Sequence, residues 1–157
     1  SKSIDEMYQD AQKAVVEDRG QEAIQTLEKL LVASPEHAQA HNDLGVLLYR
    51  AGDKILALDH YEKAVQFDPN NTTFQKNLAD FYCIEQRQFE KAMRIYVRIL
   101  ENHAEDVETL MAVGYICENL DKTDDAKDFY HRVIEIEPWN LEARQKLDTL
   151  NITRMAM

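Results

Sequence analysis

Residues 42–64 read NDLGVLLYRAGDKILALDHYEKA and hold two glycines, Gly45 and Gly52, with Lys54 close behind. A phosphate-binding P-loop needs four residues between its glycines, a Lys directly after the second, and a strand before the loop. Here six residues separate the glycines, Asp53 precedes Lys54, and no strand pattern leads into the stretch. The chain also lacks the Gly-x-Gly of a dinucleotide-binding loop. The glycines therefore predict no nucleotide site.

The same stretch has the periodicity of two amphipathic helices. Apolar or small residues recur at i, i+3, i+4 and i+7 over 41–48, and again at helical spacing over 57–65. Gly52 follows the first helix, where a left-handed residue is favoured, and Pro69 cannot continue the second. Along the whole chain this pattern predicts helices over 4–17, 21–33, 38–50, 54–67, 72–85, 89–101, 106–119, 123–136 and 140–154.

The helix pair recurs four times, at steps of 34, 35 and 34 residues. The longer step falls between Tyr82 and Ala92, and we expect the inserted residue in the turn around 85–88. Repeats are predicted at about 4–37, 38–71, 72–106 and 107–140, in a single domain 1–157. The positions that recur in register are Gly45, Ala79 and Gly114; Ala57, Ala92 and Ala126; Tyr61, Tyr96 and Tyr130; and Pro69 and Pro138.

This spacing and these residues resemble the tetratricopeptide repeat (TPR) family, whose repeat places Leu-Gly, Tyr, Ala, an aromatic residue and Pro in this order. The second repeat follows the pattern most closely, and the first is degenerate, with its turn glycine late at Gly20. The resemblance implies an all-α fold, a right-handed α-solenoid of four helix pairs plus a C-terminal capping helix. It also implies an interaction module without enzymatic activity.

The small residues of each repeat have a packing explanation. Glycine inside a helix costs about 1 kcal/mol relative to alanine, so it needs a compensating contact. Gly45 falls opposite Ala57 in the predicted helix pair, and small residues on both sides would let the two backbones approach closely.

The last helix, 141–154, is predicted to cap the array. Stepping the second repeat forward carries its packing stripe to Leu147, whereas Asp148 and Asn151 occupy the columns that would receive another helix. We expect the array to end here, because a terminal repeat has a polar outer face.

Composition excludes several classes of partner. The net charge is −11, which disfavours nucleic acid and anionic membrane surfaces. No apolar run approaches the roughly 20 residues that cross a bilayer, so no membrane insertion is predicted and a cytoplasmic location is expected. The chain begins with Ser-Lys-Ser, so the lack of a visible signal says little about a longer gene product. No cofactor is predicted.

Histidines and cysteines do not form a recognisable site. His37 and His41 are four residues apart, but no third ligand accompanies them. His60, His103 and His131 are scattered and expected to be solvated. Cys117 occupies a packing column and is expected to be buried, whereas Cys83 is expected to point to the inner face. No metal site is predicted.

Stacked helix pairs of this kind present a concave surface lined by the first helix of each pair. Beside the packing stripe these helices carry aromatic, Met, amide and charged side chains, a mixture that suits an adaptable peptide groove. Tyr49, Tyr115 and Met111 are the expected apolar anchors. The complete set of predicted contacts is Asn42, Asp43, Val46, Tyr49, Arg50, Lys76, Asn77, Asp80, Ile84, Met111, Tyr115, Glu118 and Asn119.

Some members of the family hold the C-terminal carboxylate of chaperone tails with a clamp of Lys, Asn and Arg. The corresponding positions here hold Tyr8, Gln12, Asp43, Thr73 and Asn77, so that specificity is not expected.

Three functions remain open. The leading one is a protein or peptide interaction module. The second is a targeting or substrate-recognition domain of a larger enzyme, such as a glycosyltransferase or methyltransferase. The third is a self-assembling scaffold, in which the basic stretch 87–98 meets the acidic stretch 101–128 of a neighbour and forms a homo-oligomer.

Overall fold

The computed structural model of the chain describes the backbone of residues 1–156 and the side chains of residues 1–152. Over that range all regular structure is helical, which confirms the all-α prediction. Helix bounds lie within two residues of those expected, except that the predicted helix 72–85 is α-helical only over Thr72–Asp80 and continues as a π-helical segment. Met157, the predicted end of the domain, lies outside the described residues. The α-helices are α1 Ile4–Val16, α2 Gly20–Ala33, α3 Ala38–Arg50, α4 Lys54–Phe67, α5 Thr72–Asp80, α6 Phe89–Asn102, α7 Val107–Asn119, α8 Thr123–Ile136 and α9 Leu141–Ala156.

Several helices begin at a side-chain cap. Ser3, Asp53 and Asp106 each accept a hydrogen bond from the backbone N–H three residues later. Such caps satisfy a donor that has no partner within the helix, and each contributes about 1 kcal/mol. None of the helices in residues 1–156 is long and apolar enough to span a membrane.

One residue in the left-handed region of backbone space turns the chain between the helices of each pair. These residues are Asp18, Gly52, Arg87 and Asp121, with φ of 59°, 92°, 51° and 57°. Gly52 thus has the turn role predicted for it. In the first repeat the role belongs to Asp18, so Gly20 is not a late turn glycine.

The extra residue of the third repeat lies in the helix and not in the turn. Phe81–Glu85 forms a π-helical segment that continues α5. In the second repeat Asp53 N donates to Leu48 O, whereas in the third Gln88 N donates to Tyr82 O, a ring one residue longer. The expected insertion around 85–88 is therefore corrected, since a π-helical turn absorbs one additional residue without breaking the helix.

The chain divides into two compact units. Unit 1 is Ser1–Leu78, and unit 2 begins at Ala79, so the boundary falls within α5. The single domain of the sequence analysis stays a prediction. The core of unit 1 includes Ala11, Ala14, Leu27, Leu30, Leu44 and Ala57, and that of unit 2 includes Tyr96, Ile99, Leu110, Val113, Tyr130 and Val133. In α9, Ala143 and Leu147 are buried, while Asp148 and Asn151 are exposed.

The helical glycines pack against tyrosine rings. A Cβ placed on Gly45 would lie 2.9 Å from Cδ1 of Tyr61, and one placed on Gly114 would lie 2.5 Å from Cε1 of Tyr130. The expected contact with Ala57 involves its carbonyl oxygen, 3.3 Å from that position on Gly45. The glycines therefore make room mainly for an aromatic ring of the second helix.

Candidate functional site

Unit 1 contains an open cleft of about 300 Å³ with mostly apolar walls. Val15 and Val16 come from the C-terminal end of α1, and Val46 and Leu47 come from α3. Val16 is 86% exposed, so the cleft presents apolar surface to solvent. The complete lining is Ala11, Gln12, Val15, Val16, Leu27, Asp43, Val46, Leu47 and Arg50.

The cleft contains three of the predicted contact residues, Asp43, Val46 and Arg50. Asp43 accepts hydrogen bonds from Tyr8 Oη at 2.5 Å and from Gln39 Nε2 at 2.8 Å. Burial and then the bond to Asp43 raise the pKa of the Tyr8 hydroxyl to about 12. Arg50 is exposed and forms no ion pair with any described side chain. The cleft thus has one acidic group that is already bonded and one cation that is available.

Sequence reasoning missed the contribution of α1. Gln12, Val15 and Val16 lie 34 residues before Val46, Tyr49 and Arg50, so the repeat period places them in the same columns. The predicted contacts began with the second repeat because the first is degenerate. Stepping the columns back by one repeat would have identified these three residues.

The remaining predicted residues of unit 1 differ in exposure. Tyr49 is 38% exposed, and the Lys54 ammonium lies 5.8 Å from its ring centroid. Asn42 is only 4% exposed, and its carbonyl oxygen accepts a hydrogen bond from Asn77 Nδ2 at 2.9 Å. Asn42 therefore positions Asn77, and the amide of Asn77 and the half-buried Lys76 lie nearer to solvent.

In unit 2, three predicted residues of α7 pack or bond with neighbouring side chains. Met111 packs on the core cluster around Leu110. The Tyr115 ring meets the Phe89 ring edge-on, with centroids 6.4 Å apart. Asn119 accepts a hydrogen bond from Arg87 at 3.0 Å.

The predicted acids of unit 2 bind tyrosine hydroxyls. Asp80 accepts a hydrogen bond from Tyr96 Oη at 2.5 Å, and Glu118 accepts one from Tyr130. Burial and the neighbouring carboxylate raise the pKa of both tyrosines. These bonds tie the first helix of a pair to the second, whereas the Tyr8 bond ties the first helices of two consecutive pairs, α1 and α3. Ile84, the last predicted residue, is 59% exposed.

Two histidines form a pair that the sequence analysis did not predict. His60 is half-buried, and its Nδ1 lies 2.9 Å from Nδ1 of His41, which corrects the expectation that it is scattered and solvated. His41 Nε2 lies 2.7 Å from Pro35 O and donates to it, so His41 Nδ1 is the acceptor of the proton on His60 Nδ1. The pairing arises because α3 and α4 are antiparallel. Burial lowers the pKa of both rings.

The other candidate ligands are structural. His37 caps α3, since its Nδ1 accepts a hydrogen bond from Ala40 N at 3.0 Å. Cys117 is buried as expected, but Cys83 is only 1% exposed and does not point to an open inner face. Burial raises the pKa of its thiol to about 11. Within residues 1–152 no three His, Cys, Asp or Glu side chains converge as a metal site would need.

Comparison with known proteins agrees with the repeats. Two family profiles, both described as tetratricopeptide repeat, match residues 8–72 and 107–138. Stress-induced-phosphoprotein 1 of Caenorhabditis elegans is 36% identical over 64 residues, which make up 41% of this chain and 20% of that protein. The chain thus spans about a fifth of the length of that relative.

Solved structures share the fold at low identity. A tetratricopeptide repeat protein from Parabacteroides merdae is 22% identical with a TM-score of 0.88, over 98% of this chain and 60% of that one. YrrB, described as a TPR protein with an unusual peptide-binding site, is 18% identical with a TM-score of 0.83, over 98% of this chain and 78% of its own. The profile matches, the 34- and 35-residue helix pairs and this fold agree, and the chain belongs to the tetratricopeptide repeat family.

Proposed function

We propose that the chain is a non-enzymatic module that binds a segment of a partner protein, and that the α1–α3 cleft of unit 1 is a binding site. The observation that carries this proposal is the open apolar surface of Val15, Val16 and Val46 beside Arg50. A volume of about 300 Å³ suits a few side chains of a short peptide. The peptide-binding site named for the fold relative YrrB gives further support.

The affinity would come from the valines. Covering a well-exposed Val such as Val16 contributes about 1.5–3 kcal/mol, because apolar area leaves water. Arg50 at the rim would select a partner segment with a carboxylate or carbonyl oxygen at the matching position. Asp43 is held by Tyr8 and Gln39 and would contribute mainly by orienting the rim.

The unit 2 residues Met111, Tyr115 and Asn119 stay part of the proposal as a further set of contacts. Tyr115 and Asn119 are half-buried, and their partners fix their orientation. Contacts that are already fixed lose little entropy when a partner binds, so these side chains suit recognition.

Two matched substitutions test the cleft. Val16 and Val32 are 86% and 84% exposed, and each lies at the C-terminal end of a helix, but only Val16 lines the cleft. The wild type, Val16→Glu and Val32→Glu would be used for affinity capture from the native lysate, with mass-spectrometric identification. We expect Val16→Glu to lose partners that the wild type and Val32→Glu retain. Peptide segments of those partners should bind the wild-type protein, as measured by isothermal titration calorimetry.

The proposal is contradicted if all three proteins capture the same partners with equal yield. Circular dichroism and thermal melting of the three proteins show whether each is folded. Tyr49→Ala provides a second test within α3, because this side chain lies outside the cleft lining and its loss should weaken capture less than Val16→Glu.

A further inference from the structure

Helix α6 carries a row of cations along one face in an acidic protein. The segment 86–98 holds four cations and one acid, Glu90, so its charge is +3 in a chain of −11. Lys91, Arg94 and Arg98 are spaced i, i+3 and i+7, so they lie on one face of α6, and all three are exposed. At 1.5 Å per residue the row is about 10 Å long. The segment thus presents a basic line on a chain that is otherwise acidic.

The positive charges of the row are not neutralised by neighbouring carboxylates in the described part of the chain. Among the described residues no carboxylate forms an ion pair with Lys91, Arg94 or Arg98. Lys91 Nζ lies 4.7 Å from the Tyr82 ring centroid, and the Arg87 guanidinium lies 4.9 Å from that of Phe89. Aromatic faces hold these two cations in place without cancelling their charge.

A cleft of about 430 Å³ lies beside the row, between the turn before α6 and the end of α7. Phe89 and Leu120 give it an apolar wall, and Leu120 is 41% exposed. Arg87, Lys91 and Arg94 also line the cleft, together with Gln88 and the single acid Glu90. The cleft therefore combines an apolar pocket with three cations at its edge.

We propose that this cleft is a second binding site, separate from the α1–α3 cleft, for an extended acidic segment of a partner protein. Carboxylates on alternate residues of an extended chain lie roughly 6–7 Å apart, and successive cations of the row lie about 4.5 and 6 Å apart along the helix axis. The long Lys and Arg side chains can span this difference, so such a segment would pair with Lys91, Arg94 and Arg98. One apolar side chain of the segment would enter between Phe89 and Leu120. A single phosphate fits less well, because the cations are arranged in a line and do not converge on one point.

The charge of the whole chain disfavours nucleic acid at this row, since a polyanionic backbone would also meet the remaining acidic surface. A short acidic segment avoids that repulsion, because charges farther apart than about 8 Å are largely screened at physiological salt.

The probe is a fluorescein-labelled peptide that alternates Glu with Ser around a central Leu, measured by fluorescence anisotropy. A second peptide with Gln in place of each Glu is its control. The protein variants are Lys91→Gln/Arg94→Gln and, as a matched control, Lys13→Gln/Lys29→Gln, which removes two exposed cations from α1 and α2. Circular dichroism reports whether each variant is folded.

The acidic peptide should bind the wild type and the Lys13/Lys29 variant equally, and the Lys91/Arg94 variant about five- to thirtyfold more weakly. The Gln peptide should bind all three poorly, and Leu120→Gln should weaken the acidic peptide alone.

Equal weakening by both double variants overturns the site, because it shows a response to net charge only. The proposal is also overturned if a single-stranded RNA probe binds the wild type as tightly as the peptide and the Lys91/Arg94 variant does not bind it. That result would show that the row binds polyanions in general. Competition by inorganic phosphate at the same concentration as the peptide assigns the cleft to a single anion. Self-association in light scattering that only the Lys91/Arg94 variant loses makes a second copy of the chain the occupant.

Discussion

The close contact between Gly114 and Tyr130 predicts a large difference among three identical substitutions. A Cβ on Gly114 would lie 2.5 Å from Cε1 and 2.8 Å from Cζ of Tyr130, whereas ordinary contact begins near 3.4 Å. On Gly45 the nearest atoms of Tyr61 are 2.9 and 3.0 Å away, and at Gly20 nothing lies within 4 Å. The series therefore varies the contact and keeps the chemistry constant.

The magnitude follows from two opposing effects. Alanine stabilises a helix by about 1 kcal/mol relative to glycine, and overpacking a buried site costs about 1–3 kcal/mol. The Tyr130 side chain is completely buried and its hydroxyl is bonded to Glu118, so its ring cannot move away. We expect Gly114→Ala to destabilise by about 1–2 kcal/mol, the upper part of the net range, because the 2.5 Å approach is the tightest of the series and the ring has no free space. Gly45→Ala should destabilise by less than half of that, because Tyr61 needs to shift only a few tenths of an ångström.

Urea denaturation followed by circular dichroism measures the series. Gly20→Ala is the control and should leave the free energy of unfolding unchanged or slightly higher. The fluorescence of Trp139, the single tryptophan, reports separately on unit 2. If Gly114→Ala is as stable as Gly20→Ala, the ring contact does not explain the glycine, and the reasoning is refuted.

Three further predictions concern a backbone conformation, a histidine pair and a buried hydrogen bond. Gly52→Ala should lower the free energy of unfolding by about 1 kcal/mol, because φ is +92° there and an L side chain is strained in that region; Gly52→Asn should cost less. The pKa values of His41 and His60 are lowered in the folded state, so below the ordinary histidine pKa of 6.5 the unfolded state binds more protons than the folded state. The contribution of the pair to stability is therefore present above pH 6.5 and is lost as the pH falls through the lowered pKa of the folded state. Urea midpoints at several pH values should therefore fall below pH 6.5 in the wild type and fall less in His60→Gln. Tyr130→Phe should destabilise by about 1–3 kcal/mol in urea titration, because it removes a buried hydrogen bond to the Glu118 carboxylate; an unchanged midpoint would contradict this.

The helices could be predicted because the same helical periodicity of apolar residues recurs in each repeat. Gly52 and Pro69 separate periodic segments in one repeat, and the other repeats confirm the register. Local signals of this kind depend on neighbours within one or two turns, which a sequence displays directly.

Contacts between helices were harder to predict from the sequence. The extra residue of the third repeat shifts the later columns equally whether it lies in the turn or in the helix, so spacing could not distinguish a longer turn from the π-helical segment Phe81–Glu85. His60 meets His41 only because the two helices of the pair are antiparallel with a particular register. The site was predicted in part: Val46 and Arg50 line the cleft, while Val15 and Val16 were missed although the 34-residue period points to them.

The tyrosine–carboxylate bonds limit where binding energy can arise. Asp43, Asp80 and Glu118 each accept a hydrogen bond from a tyrosine, so a cation of a partner that competed for one of them would leave a hydroxyl without its acceptor. That loss costs about 1–3 kcal/mol, which equals or exceeds the gain of about 0–1 kcal/mol from a new exposed ion pair. At Val16 and Arg50 a partner breaks no existing bond of this kind. The exposed Val16 side chain gains from any apolar cover, and Arg50 has no carboxylate partner among the described side chains. Affinity at the α1–α3 cleft should therefore depend more on these two side chains than on the acids beside them.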